Sequence, residues 1–439
     1  MRSFAPSLLL MSVALTGCAA SERPSPDEGV AEALTGGAAD RGYGDDGLVR
    51  VADVEPESTA ALAYDDDGRL LLLSGSYDDR GLLRAERRLA SGAPDPSFAK
   101  APIPFLASPQ GGALEMQPLP DGSIIVATTA LCVLSTCPHD DDGPGRGRRF
   151  VFHLTSAGTI DSSFAGGTGL IEIPSPPKDG LETYPIHLAR TPRGEIVVAA
   201  DQPGDEVELR WIDPSGRALT RQILRGVRGM TASLAATSDV VFVGRKGGST
   251  HGFATVTGVE RATGKTRRGA AEWSVTDSAS PVLRQVVVSG TSVYVVGDAP
   301  HEGDYGPSRI AVHKLTLDLL PDGSFGEGGT KLFNAGNGQG GEMTRIAVLP
   351  DGRIVMAGAI EKEGATPHGT GIVPAAERDL GFVVLRPNGA YDTSFAPRGT
   401  LVLHAGARRE GFTTLAVGSH GVFAAGFSER TPVGAKLLL

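Results

Sequence analysis

Short apolar runs recur along the chain, and each is introduced by a turn signal. In Leu349-Pro350-Asp351-Gly352-Arg353-Ile354-Val355-Met356-Ala357-Gly358 an Asp-Gly pair precedes a run that suffices for one strand. The stretch therefore predicts a hairpin turn feeding a buried β-strand. The same unit stands at Asp67-Gly68 before Arg69–Ser74, at Asp121-Gly122 before Ser123–Thr128, and at Arg193-Gly194 before Glu195–Ala200. Looser copies follow at Thr237-Ser238-Asp239 before Val240–Gly244 and at Ser289-Gly290 before Ser292–Gly297. After the Asp351-Gly352 copy comes a last one, His420-Gly421 before Val422–Gly426. From Gly68 to Gly421 the spacing averages about 59 residues, room for four strands and their loops in each unit. The runs are apolar at successive positions instead of alternating, which is the pattern of strands covered on both faces.

A second signature travels with the first. Asp95-Pro96-Ser97-Phe98, Asp161-Ser162-Ser163-Phe164, Asp322-Gly323-Ser324-Phe325 and Asp392-Thr393-Ser394-Phe395 each follow a predicted strand. In the weaker region between about 210 and 300, Asp213-Pro214-Ser215-Gly216 supplies the turn alone. Together the two signatures resemble the delta-60 repeat family, bacterial proteins of roughly sixty-residue repeats, from about residue 40 to the end. The resemblance implies a β-propeller and brings no established activity with it.

The sixth repeat shows the four strands, lettered A to D from the centre of the ring outwards: Met343–Val348, Arg353–Ala357, Leu380–Leu385 and Gly399–Leu403. The chain finishes on Val433–Leu439, which matches strand C, where a strand D should follow. Asp40-Arg41-Gly42-Tyr43-Gly44 and the residues to Arg50 resemble the missing turn and strand. The expectation is an all-β, seven-bladed β-propeller of four-stranded blades over 39–439, closed by the N-terminal strand pairing into the last blade, which removes exposed sheet edges. A linear solenoid would need polar capping repeats that neither end supplies.

Ahead of residue 39 the pattern changes. Met1-Arg2-Ser3 is a short basic start, and Leu8–Leu15 is an apolar stretch too brief to span a bilayer, which predicts a secretion signal. Leu15-Thr16-Gly17-Cys18 directly follows and resembles the bacterial lipobox. That resemblance implies cleavage after Gly17 and a lipid on Cys18, so residues 1–17 form a lipoprotein signal peptide. Residues 18–38, poor in strand pattern, read as a flexible tether. Ala19 in place of Asp after the cysteine implies an outer-membrane lipoprotein, facing periplasm or cell surface, whose first partner is the membrane itself. In an exported chain Cys132 and Cys137 predict a disulfide closing a small loop. A metal at the two thiols would need more ligands, and only His139 and Asp140-Asp141-Asp142 lie near.

A formal charge of −10 argues against a nucleic-acid partner. The nine histidines include no pair at metal-ligand spacing, and no nucleophile elbow or phosphate-cradling loop is present. Neither metal nor cofactor is expected. Two classes of function follow. One is a non-catalytic binding or scaffold protein at the cell envelope, taking a protein or envelope-polymer ligand. The alternative is an extracytoplasmic enzyme, a hydrolase or lyase with its site at the channel mouth. Aligning the A strands brings together Ala61, Glu115, His187, Ser233, Arg284, Arg345 and Thr414, with the fourth and fifth repeats fixed to within one position. Glu115, His187, Arg284 and Arg345 would then ring the channel, where they hold an anionic group or else pair with one another. The variable B–C loops, long at 129–149 and 359–379, offer a second place for binding on the same face.

Overall fold

The structure is a computed structural model that describes residues 39–438, apart from 46, 51–58, 76–81, 100–101, 108–113, 133–147, 174–185, 248–253, 269–281, 300–308, 335–339, 363–376, 408–409, 419–420 and 430. Cys18, the expected signal peptide and tether, Cys137 and Asp140-Asp141-Asp142 lie outside the described residues, as do parts of both long B–C loops. Cys132 is described as the last backbone position of a strand. Among the described residues no helix is long and apolar enough to cross a membrane.

The chain folds into seven antiparallel four-stranded blades arranged in a ring, a seven-bladed β-propeller. The innermost strands are Thr59–Tyr64, Leu114–Pro118, Ile186–Arg190, Met230–Ala236, Val282–Ser289, Gly341–Val348 and Glu410–Gly418. In the sixth blade the A and C strands begin at Gly341 and Arg378, and the B strand runs on to Glu361. Each is longer than its expected run because backbone pairing and burial both continue beyond it, Ile360 lying opposite Gly341 and Asp379. The outer strand of the first blade, Pro102–Ala107, also pairs with the end of the second blade's B strand, Phe105 against Cys132, so these two blades form one continuous sheet.

The uninterrupted apolar runs are explained by the packing. In the second blade's B strand, Ile124 and Val126 join a core cluster with Leu71 and Leu73 of the first blade. Ile125 and Ala127, pointing the other way, join Ile196 and Val198 of the third. Successive side chains leave opposite faces of a strand, and here each face meets a neighbouring blade. Full burial of one such side chain stabilises the fold by about 1.5–3 kcal/mol.

The Asp-x-Ser-Phe signature fastens each of several blades to the next. In Asp161-Ser162-Ser163-Phe164, one Asp161 carboxylate oxygen accepts both the Ser163 N–H (2.9 Å) and its O–H (2.6 Å). The Ser163 and His153 hydrogen bonds hold the Asp161 carboxyl down at about 2. Phe164 then lies against Gly216 of the third blade, where φ is +83° and any Cβ would strike its ring. The Ala165 N–H donates to Ser215 O at 2.8 Å. Phe98 with Gly158 and Phe325 with Gly389 repeat the contact.

The ends close the ring in the same way. Leu48–Arg50 pairs antiparallel with Thr431–Leu437, Val49 opposite Gly434. Asp40 receives the Gly42 N–H at 3.0 Å and forms an ion pair with Lys436 at 2.7 Å. Tyr43 stands where the other copies have Phe, and Gly44 N–H donates to Ser91 O of the first blade at 3.1 Å. The Tyr43 and Tyr64 hydroxyls meet at 3.0 Å in a buried pair, and Tyr64 donates on to Ala424 O of the last blade.

Candidate functional site

Counted back from the A–B turn, one residue per blade sits at the same level: Ala61, Glu115, His187, Ser233, Gln285, Arg345 and Thr414 pair with Leu73, Ala127, Ala199, Gly244, Val296, Ala357 and Ala425. All but His187 line a cavity of about 260 Å³ in the central channel. Six of the seven are the residues that the sequence alignment brought together; the fifth blade differs by one. There the pairing skips a residue between Leu283 and Gln285, so Arg284 is the extra residue of a β-bulge and Gln285 takes the ring position. Arg284 still lines the cavity.

The bulge is a property of four consecutive blades. Pairing skips Ala232, Arg284, Thr344 and Thr413 in blades four to seven, while the inner strands of blades one to three pair without interruption. A bulge bends its strand and re-aims side chains. It also brings the inner strand's backbone against the B strand, where a Cβ on Gly297, Gly358 or Gly426 would run into Val282 O, Glu342 O or Gly411 O. These glycines end the apolar runs of their repeats, and in that position they were the sequence's available signal for three of the four bulges; the fourth blade has Arg245 there.

Side chains at this level also tie neighbouring blades together. Glu115 accepts the Leu188 N–H (2.7 Å), Ser233 the Val286 N–H (3.0 Å) and Gln285 the Ile346 N–H (2.7 Å), while Thr344 donates to Phe412 O (2.6 Å). Each satisfies a backbone group on the next inner strand that the sheet leaves unpaired.

Glu115 and His187 form an internal pair. His187 Nδ1 lies 2.6 Å from one Glu115 oxygen and Nε2 lies 2.9 Å from Thr231 O. A carbonyl only accepts, so Nε2 carries a hydrogen; with the Glu115 carboxyl held down in its ionised form, Nδ1 donates to it and the pair is imidazolium with carboxylate. Burial alone would lower the His187 pKa, but the Glu115 charge and hydrogen bond outweigh it and raise the pKa above its ordinary value. Glu115 moves the opposite way: its burial is outweighed by His187, the Leu188 N–H and the Arg345 charge.

Arg284 is likewise committed. Its guanidinium contacts Asp298 at 2.6 Å and Glu342 at 2.6 Å, and Glu342 in turn holds Arg378 at 2.8 Å. Burial pushes the Asp298 carboxyl up to about 6 against the pull of Arg284, and its second oxygen is buried with no hydrogen-bond partner. Asp298, Glu342, Arg378, Thr231 and Gln285 were not singled out in the sequence; no local motif marks them, because three blades contribute them. Arg345 differs from the rest. Among the described residues its one hydrogen bond is to Thr344 O at 2.8 Å, and no carboxylate lies within ion-pair distance.

No protein-family model matches the chain, and no curated protein matches it in sequence. Among solved structures it is similar to a puromycin-hydrolyzing peptidase of Mycobacterium tuberculosis, at 14% identity and a TM-score of 0.45, covering 86% of this chain. The chain spans about half of that peptidase's length, 52%. It is also similar to an ulvan lyase of polysaccharide lyase family PL25, at 8% identity and a TM-score of 0.48, covering 90% of this chain and 95% of the lyase. A protein of unknown function from Dyadobacter fermentans is similar at 15% identity and a TM-score of 0.37, covering 73% of this chain and 97% of the other. Likenesses this weak carry neither activity nor substrate to the chain.

The channel groups themselves define what the cavity can do. Both ring nitrogens of His187 are engaged, and the Glu115 carboxylate, accepting from two donors, is held in its weakly basic ionised form. A proton-transfer catalyst needs a free lone pair or proton, and both ring nitrogens of His187 are already taken up by Glu115 and Thr231. Among the described residues, unused donors at the cavity are the remaining N–H groups of Arg345, the Gln285 amide nitrogen, and the hydroxyls of Ser233 and Thr414.

Proposed function

We propose that the protein is a non-catalytic binding protein of the bacterial cell envelope, carried on a lipid at Cys18, with the channel cavity as its ligand site. The observation that carries the binding reading is the contrast within the ring. Glu115 and His187 are hydrogen-bonded to each other and to neighbouring backbone, while Arg345, with no carboxylate of the described residues within ion-pair distance, keeps N–H groups at the cavity. Recognition groups are present where acid-base groups are occupied. The envelope location rests on the apolar stretch and the Leu15-Thr16-Gly17-Cys18 signature.

Two experiments test these parts separately. Metabolic labelling with a palmitate analogue marks the wild type and leaves Cys18→Ser unlabelled; equal labelling of both rules out the lipid at Cys18. For the cavity, the soluble domain is dialysed against a small-molecule extract of envelope material and both sides are compared by mass spectrometry. Retention of a compound in unchanged form is the expected result, and formation of a new product turns the reading toward an enzyme.

A further inference from the structure

Resting on the binding reading, we infer that the cavity takes a small hydroxylated monocarboxylate, with its carboxylate on Arg345. The first argument is charge. Among the ionisable groups at the cavity, Glu115 is balanced by His187, and Asp298 and Glu342 are balanced by Arg284 and Arg378. Arg345 is left over, so the site carries one uncompensated positive charge. Burial lowers the Arg345 pKa and the Arg284 charge lowers it further, against the pull of Glu115. A ligand anion opposes both effects at once, since a negative charge beside the half-buried guanidinium favours its charged form.

Shape and donor count narrow the class. A guanidinium presents a planar fork of N–H groups that meets a carboxylate through two parallel hydrogen bonds. Only one Arg345 donor position is used by the protein, on Thr344 O. Beside it, the Gln285 oxygen accepts the Ile346 N–H and the Ser233 oxygen accepts the Val286 N–H. Their own hydrogens, with that of Thr414, remain for a ligand, which must then bring acceptors as well as charge. Hydroxyl oxygens meet that need. A phosphate dianion would overshoot the single positive charge.

The cavity limits size. About 260 Å³ is the volume of some eight or nine waters at about 30 Å³ each. It lies just under the roughly 300–1,000 Å³ of sites for drug-sized ligands, so the occupant is a molecule of roughly six to ten non-hydrogen atoms.

The test is calorimetric titration of the soluble domain with acetate, lactate, glycerate and threonate, alongside glyceramide and inorganic phosphate. The expected order is glycerate or lactate above acetate, with glyceramide at least tenfold weaker than glycerate and phosphate no tighter than acetate. Arg345→Gln weakens glycerate at least tenfold, Arg345→Lys less, and Arg353→Gln, at a turn paired with Asp351, leaves it unchanged. The thermal midpoint of each unliganded variant reports its folding independently. Failure of all four carboxylates, or glyceramide binding as tightly as glycerate, overturns the ligand class. Tighter phosphate binding through Arg345 overturns it in favour of a phosphate site. If the class fails while the dialysis experiment still retains an unchanged compound, the binding reading stands; a new product there removes both.

Discussion

Two buried histidines show how the same side chain is turned in opposite directions by its surroundings. His313 is buried, with Nδ1 at 2.9 Å from Thr330 Oγ1, and burial pushes its pKa down to about 3. His187 has Glu115 beside it and is raised. Unfolded, both titrate near 6.5. Below that value the unfolded chain binds a proton that folded His313 refuses, so His313 lowers stability as pH falls from 6.5 toward 3. For His187 the sign reverses: its contribution is full below 6.5 and is lost as pH rises through its raised folded value. Asp298, raised to about 6 from 3.8, adds stability as pH falls across that interval and so opposes His313. In His313→Gln the acid-side loss of stability becomes shallower, by up to about 1.4 kcal/mol per pH unit, as read from denaturant midpoints between pH 6 and 4. An unchanged slope would show that His313 is protonated in the folded state. In NMR titration of the wild type the His187 ring is expected to titrate above 6.5.

At the scale of the element, the decisive difference among blades is the bulge. Gly358 follows Ala357 in the sixth blade, and its added Cβ would meet Glu342 O, a backbone atom that cannot step aside. The corresponding residue of the third blade, Ala200, carries its Cβ beside an unbulged strand, and Arg245 of the fourth carries one beside a bulge, so the glycine accompanies three of the four bulges. Gly358→Ala is therefore expected to lower stability by about 1–3 kcal/mol, the usual cost of overpacking. Ala200→Gly costs about 0.5–1 kcal/mol from backbone entropy plus the lost methyl contact. Because the bulge lies between Met343 and Arg345, Gly358→Ala should also weaken glycerate binding. A Gly358→Ala domain with unaltered midpoint and affinity would mean that the bulge yields without moving Arg345.

For the molecule as a whole, the ring stands on its closure. Tyr43, Leu48 and Val49 are buried against the last and first blades. At about 1.5–3 kcal/mol each, their loss costs on the order of 5 kcal/mol. A chain beginning at Ser58 is expected to melt well below one beginning at Gly36, whereas the latter should match the full soluble domain. Equal midpoints for the two truncations would mean that the N-terminal strand contributes nothing to the ring. The same segment leads back to Cys18, so the strand nearest the expected lipid is also the one that seals the propeller.

Blade number, strand order and closure were all legible in the chain, because each depends on a pattern that repeats: a turn, an apolar run buried on both faces, and a missing strand C-terminally matched by a spare one at the start. Five of the seven repeats also place their ring residue without ambiguity, since the A–B turn fixes the count to Ala61, Glu115, His187, Arg345 and Thr414. Chain order does not specify partnership across the channel. That Arg284 slips out of the ring position depends on a bulge, which shifts register by one residue without changing the apolar pattern. That it is neutralised depends on Asp298, within its own blade, and on Glu342 of the next. The solitary charge of Arg345 is a property of the assembled ring, because only folding decides which of the channel's carboxylates come within reach of it.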